Sequence, residues 1–254
     1  MKNILLFSLV TLLYQSCTLQ AQTDHLSIAV PTVEQEASSI WRTINDVNFL
    51  EGQGYQIHLP EEDLISTLIA QSKNGQFGNN DFPAIYNLLA SKVYNAKDYE
   101  RALKKVNAEK DLINRLVQQL KETQKTWDWE FKLFDNYKVL FTLYGTGGSY
   151  DPDSGTVTLF TTTEGQFMKY SHPANTIVHE IVHMGIEHSI VQKYQLPHGL
   201  KERIVDTIVS ILFKEYLPDY KIQNMGDTAI DQLLRDKEDL STLDSIIQEY
   251  MTRN

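Results

Sequence analysis

Apolar residues recur at spacings of three and four along most of this chain and alternate with polar ones only near its middle. From Val33 to about Leu50, the residues Val33, Ala37, Ile40, Trp41, Ile44 and Val47 fall on one stripe, which predicts an amphipathic helix. Gly52-Gln53-Gly54 breaks that pattern. Pro60-Glu61-Glu62-Asp63 opens a second helix, because proline fits a first turn and carboxylates suit the positive end of the helix dipole. Gly75 to Asn80 reads as a loop. A long helix follows from about Asp98 to Thr126, with Leu103, Val106, Leu112, Ile113, Leu116, Val117 and Leu120 on one face and charges on the other.

The period then changes. Trp129 to Tyr144 alternates around Asp135-Asn136 and predicts a hairpin. Gly145 to Gly148 reads as a turn; it lacks the Lys-Ser/Thr ending of a phosphate loop. Thr156 to Thr163 is a β-branched strand. Pro173 and Asn175 precede a helix running to about Gln192, and another spans Leu200 to Tyr216, stopped by Pro218. Two short helices close the chain. The expected class is α+β: mainly helical, with a small antiparallel sheet preceding the helix of 173–192. Residues 22–126 form the N-terminal helical region, its first residues to 32 a loose leader. Residues 127–217 form the core and 218–254 the C-terminal helices. No internal repeat or low-complexity tract interrupts them.

Charge narrows the partners. The chain has 254 residues and a net charge of -10, and such a surface repels phosphate backbones, so nucleic acid is not expected. No Lys/Arg cluster suits an anionic membrane. The first 21 residues read as an export signal: Lys2 is a short positive region and Ile4 to Tyr14 an apolar one too short to span a bilayer. Two processing routes stay open. Cleavage after Ala21 would release Gln22 as the new terminus. Alternatively Cys17, after Ser16, would take a lipid anchor, although Tyr14 and Gln15 fit that signal poorly. Either way the expected place is outside the cytoplasm: periplasmic, secreted or tethered by lipid. Cys17 is the only cysteine, so no intramolecular disulfide can form, and a chain cut after Ala21 has no thiolate to offer a metal.

The chemistry centres on His179-Glu180-Ile181-Val182-His183. Residues four apart share a helix face, so the two imidazoles can converge on one ion, while Glu180 sits about 100° around and can reach a water on it. Ile177, Val178, Ile181, Val182, Met184 and Ile186 surround the motif and predict a buried helix. Two buried imidazoles on one face need a partner, and zinc suits them. A third ligand must come from elsewhere. His188 lies five residues past His183 and points about 140° away on a continuing helix. Glu187 shares the face but lies about 12 Å from His179 along the axis. Glu202, which follows His183 after 18 intervening residues, is the candidate, and Asp206 follows it one turn later. His198 is a rival ligand.

From Val178 to Asp206 the chain resembles the gluzincin metallopeptidases, the thermolysin-like group, whose H-E-x-x-H is followed at roughly this interval by a ligand Glu and, four residues on, an Asp. The resemblance covers about a tenth of the chain, and Lys201 stands where the group usually has Asn. It implies that His179, His183 and Glu202 hold zinc, that Asp206 accepts the free ring N–H of His179, and that Glu180 acts as general base. It implies peptide-bond hydrolysis, with a peptide or protein as substrate, and reception of that substrate along the strand Thr156 to Thr163. The same strand could equally be a plain core strand. Tyr194, His198 and Tyr216 are candidate donors to the oxyanion, with Tyr170 and His172 just upstream of the zinc helix. Two other functions remain open: a zinc-stabilised or inactive binding protein on this scaffold, and a zinc hydrolase of a non-peptide substrate.

Overall fold

The computed structural model describes residues 24–168 and 171–253. The expected export segment with Cys17 and Ala21, and Tyr170, lie outside them. In chain order the elements are β1 (Leu26–Ala29), α1 (Val33–Asn45), α2 (Val47–Gly52), α3 (Asp63–Lys73), α4 (Phe82–Leu88), α5 (Glu100–Thr123), β2 (Tyr137–Thr142), β3 (Gly148–Asp151), β4 (Thr156–Phe160), α6 (Pro173–Ile186), α7 (His198–Phe213), α8 (Lys237–Ser241) and α9 (Leu243–Arg253). The class is α+β and mainly helical.

The sheet is mixed rather than antiparallel. Its order is β1-β2-β4-β3. Leu26 pairs with Tyr137 and Lys138 with Thr156 in parallel ladders, and only β3 and β4 run antiparallel, with Gly148 opposite Leu159. Two local outcomes explain the difference. The loose leader holds β1, whose four residues carry too short a pattern to read as a strand. The hairpin expected from Trp129 does not form, because the aromatic residues of its first half are anchors into the core. Trp127 and Trp129 stack with ring centroids 4.8 Å apart, and Trp129 Nε1 donates to Leu240 O at 2.8 Å. Phe131 packs where a side chain on Gly185 would stand, 1.9 Å from an added Cβ, so this segment lies directly on α6. Strand β4 is therefore internal, and β3 is the sheet's outer strand beside the cleft.

Two cores result. The larger joins α5, the sheet, α6, α7 and α9 through residues such as Ile113, Val139, Ile181, Ile204 and Ile247. The smaller gathers Ala37, Ile40, Ile44, Ile65 and Ile85 from α1, α3 and α4, with Leu89 just past the end of α4. The long helix α5 thus packs with α6 inside the larger core. The stripe from Val33 is cut at Asp46 into α1 and α2. Thr32 starts α1 with a capping box, its hydroxyl accepting from Gln35 N while Gln35 returns to Thr32 N. The small lobe is tied to the sheet by Glu36, which accepts from Leu143 N at 2.8 Å, and by paired bonds between His58 and Gly145.

Candidate metal centre

Helix α6 begins at Pro173, whose missing N–H is no loss in a first turn, and Glu109 of α5 accepts from Ala174 N at 2.9 Å. Nearly every residue of α6 is buried, as its apolar run predicts. His179, Glu180 and His183 are all under a tenth exposed, and α7 brings Glu202 and Asp206, equally buried, against them. The described residues contain one group of three side chains able to share a metal ion: His179, His183 and Glu202.

The spacing of the ligand atoms suits such an ion. His179 Nε2 and His183 Nε2 are 3.0 Å apart; Glu202 Oε2 is 3.4 Å from the first and Oε1 3.3 Å from the second. A tetrahedral centre with bonds of about 2.0–2.1 Å has ligand–ligand edges of about 3.3 Å. Two imidazole nitrogens this close also repel through their lone pairs unless a proton or a metal ion lies between them.

Electrostatics distinguish the two rings. Burial opposes a charge on His179, but its hydrogen bonds to Asp206 and Glu202 outweigh that and raise it to about 10. Burial dominates at His183 and lowers it to about 4 against the pull of Glu202. Burial also disfavours a charged Glu202, yet its bonds to both imidazoles hold the carboxyl well below the usual carboxylate range.

The rings are held differently. His179 Nδ1 lies 2.6 Å from the Tyr220 hydroxyl and 3.2 Å from Asp206 Oδ1. His183 is flanked by Tyr150 of β3, stacked on it with centroids 4.9 Å apart and planes 8° from parallel. Tyr150 donates to Glu187 Oε2 at 2.7 Å, so Glu187 steadies the aromatic wall and is not a ligand. His188 sits on a π-helical continuation of α6, exposed beside Asp153 and Gln192.

A cleft of about 580 Å³ opens above these residues, lined by Glu180, His198, Lys201 and the glycine-rich segment from Gly145 to Gly148. Gly148 stands against the motif: a Cβ there would meet Glu180 Oε1 at 2.2 Å and Thr176 Cγ2 at 2.6 Å. The candidate donors separate. His198 faces the cleft, its Nδ1 3.8 Å from Glu202 Oε1 and its Nε2 2.8 Å from the Tyr55 hydroxyl. Tyr194 instead donates to Asp244 at 2.9 Å, and Tyr216 is half exposed. Neither lines the cleft. His172 pairs with Glu109 at the start of α6.

Tyr55, Tyr150, Gly148, Tyr220 and Gln223 were not singled out from the sequence. None belongs to a spacing pattern with the motif; each arrives from another element. Comparison with protein-family models, curated proteins and solved structures returns no match for this chain.

Proposed function

We propose that this protein is an exported zinc metallopeptidase of gluzincin type. The observation that carries the reading is the convergence of His179, His183 and Glu202 beside a buried Glu180 at the floor of an open cleft. Two histidines and a carboxylate leave one position of a tetrahedral ion for water, which is the composition of a catalytic rather than a closed structural site. A bound zinc ion would supply acidity to that water and polarise the scissile carbonyl.

The chain's own groups do the rest. Glu180 takes the proton of the water and delivers it to the leaving amine. Strand β3, at the sheet's outer edge, receives the peptide by strand addition, with Gly148 letting backbone approach Glu180. That role moves from Thr156–Thr163 to β3, because β4 is paired on both sides. The oxyanion donor is His198 or the Tyr55 hydroxyl bonded to it, since both face the cleft. Burial and the nearby Glu202 and Glu180 charges push the Tyr55 hydroxyl up, which keeps its proton available to donate. Export rests on the N-terminal apolar segment; among the described residues no helix is long and apolar enough to cross a membrane.

The test pairs metal content with cleavage of casein or a peptide library. Glu180→Gln should keep its zinc while turnover falls about 10²- to 10⁴-fold. Undiminished cleavage in that variant would sink the mechanism. Zinc without any cleavage in the wild type would point to a zinc-stabilised binding protein.

A further inference from the structure

Beyond α7 the chain turns at Pro218 and runs back across the metal centre as an irregular segment. Leu217, almost fully buried, anchors the turn, and Tyr220 N donates to its carbonyl at 3.0 Å. From there four contacts reach the site. Tyr220 lies 2.6 Å from His179 Nδ1 and donates to Asp206 Oδ1 at 2.5 Å. Gln223 N donates to Asp206 Oδ2 at 2.7 Å, and Gln223 Nε2 to Glu202 Oε2 at 3.3 Å. Arg203 of α7 holds the same segment from behind, donating to Gln223 O at 3.2 Å.

The direction of these bonds follows from the geometry. His179 Nε2 faces His183 and Glu202, so it is the nitrogen that meets the ion. Nδ1 then carries the ring proton. A carboxylate can only accept, whereas a hydroxyl accepts and donates at once. The Tyr220 oxygen can therefore take the His179 N–H at 2.6 Å and pass its own proton to Asp206, where the direct His179–Asp206 approach is 3.2 Å.

We infer that the 220–223 segment is an outer arm of the metal centre, with Tyr220 a positioning residue that sets the tautomer and angle of His179. The inference rests on the metal reading of the site and not on peptidase activity. Groups that orient a ligating histidine typically contribute about 10- to 100-fold in metal affinity.

The experiment is zinc affinity by competition with a chromophoric chelator, on the whole exported chain. Tyr220→Phe should bind zinc about 10- to 100-fold more weakly than wild type. Asp206→Asn should weaken it as well, and the double variant should fall short of the product of the two effects, since both act through one imidazole. Tyr250→Phe removes a hydroxyl–carboxylate bond of equal length to Asp227, 2.5 Å, on α9, and should leave affinity unchanged. A second measurement needs no substitution: ¹⁵N spectra of the zinc-loaded wild type should show His179 metallated at Nε2 with its proton on Nδ1. Zinc bound as tightly by Tyr220→Phe, strictly multiplicative effects, or metallation at Nδ1 would each overturn the inference alone. A wild-type chain that takes up no zinc would overturn the metal reading, and this inference with it.

Discussion

Glu202 on α7 and Glu36 on α1 are both buried carboxylates on helices, and their surroundings drive them in opposite directions. Glu202 faces two imidazoles, and despite burial its carboxyl is held far down. Glu36 is fully buried and faces the Tyr99 hydroxyl at 2.5 Å and Leu143 N at 2.8 Å, and burial pushes it up. Its second oxygen has no hydrogen-bond partner among the described residues. Hydrogen bonds from neutral donors offset part of the desolvation of a carboxylate, whereas a facing cation, here the charged His179 ring, reverses it. The contrast teaches that a buried acid is not by itself a functional mark. Glu36 joins the small lobe to the end of β2 and the start of α5. Glu202 belongs to a set of atoms converging on one point.

Changing the ligand set should produce the largest effect. His183→Ala should take zinc, measured by mass spectrometry, from near-stoichiometric to near zero and abolish cleavage with it, while Glu36→Ala keeps its zinc. Equal zinc loss at both positions would break the distinction. A smaller effect should follow at the seam between the two regions. In Gly148→Ala the new methyl meets Glu180 Oε1 and Thr176, and the backbone there is not left-handed, so only space is altered. Displacing a reacting group by about 1 Å typically loses around 10²-fold. Turnover should drop by about that factor with zinc content unchanged, and an active Gly148→Ala enzyme would place the substrate elsewhere.

The smallest effect concerns Glu36 and pH. An acid whose folded value is raised binds its proton more tightly in the folded chain, so stability is lost as pH climbs through the window above its unfolded value. Glu36→Gln mimics the protonated form and removes that loss. Its melting temperature relative to wild type should rise as pH climbs above 4.5. A constant difference across that range would mean that Glu36 ionises as easily in the folded chain as in the unfolded one.

The helices were legible because each carries its own periodic stripe, and the long α5 stripe of Leu103 to Leu120 survives within a turn of its expected ends. The sheet was not. β1 is four residues long and pairs with a strand more than a hundred residues away. The alternation from Trp129 reflects aromatic anchoring against α6 and α8, which has the same pattern as a strand and different partners. At the site, His179 and His183 were readable because a helix places residues four apart together whatever surrounds them. Glu202 and Asp206 could be marked only as a spacing, and Tyr55, Tyr150, Tyr220 and Gln223 carry no local mark at all.

By itself, then, the sequence determined the local terms: helix periods, a buried motif helix, and a pair of imidazoles on one face with a carboxylate beside them. The tertiary structure decided which third group closes the triad, which strand borders the cleft, and which of the candidate donors faces it. It also brought the 220–223 segment back over His179. The physical reason is range. Helical periodicity and burial act over a few residues, but a metal site and a cleft are made of side chains whose proximity depends on how whole helices pack.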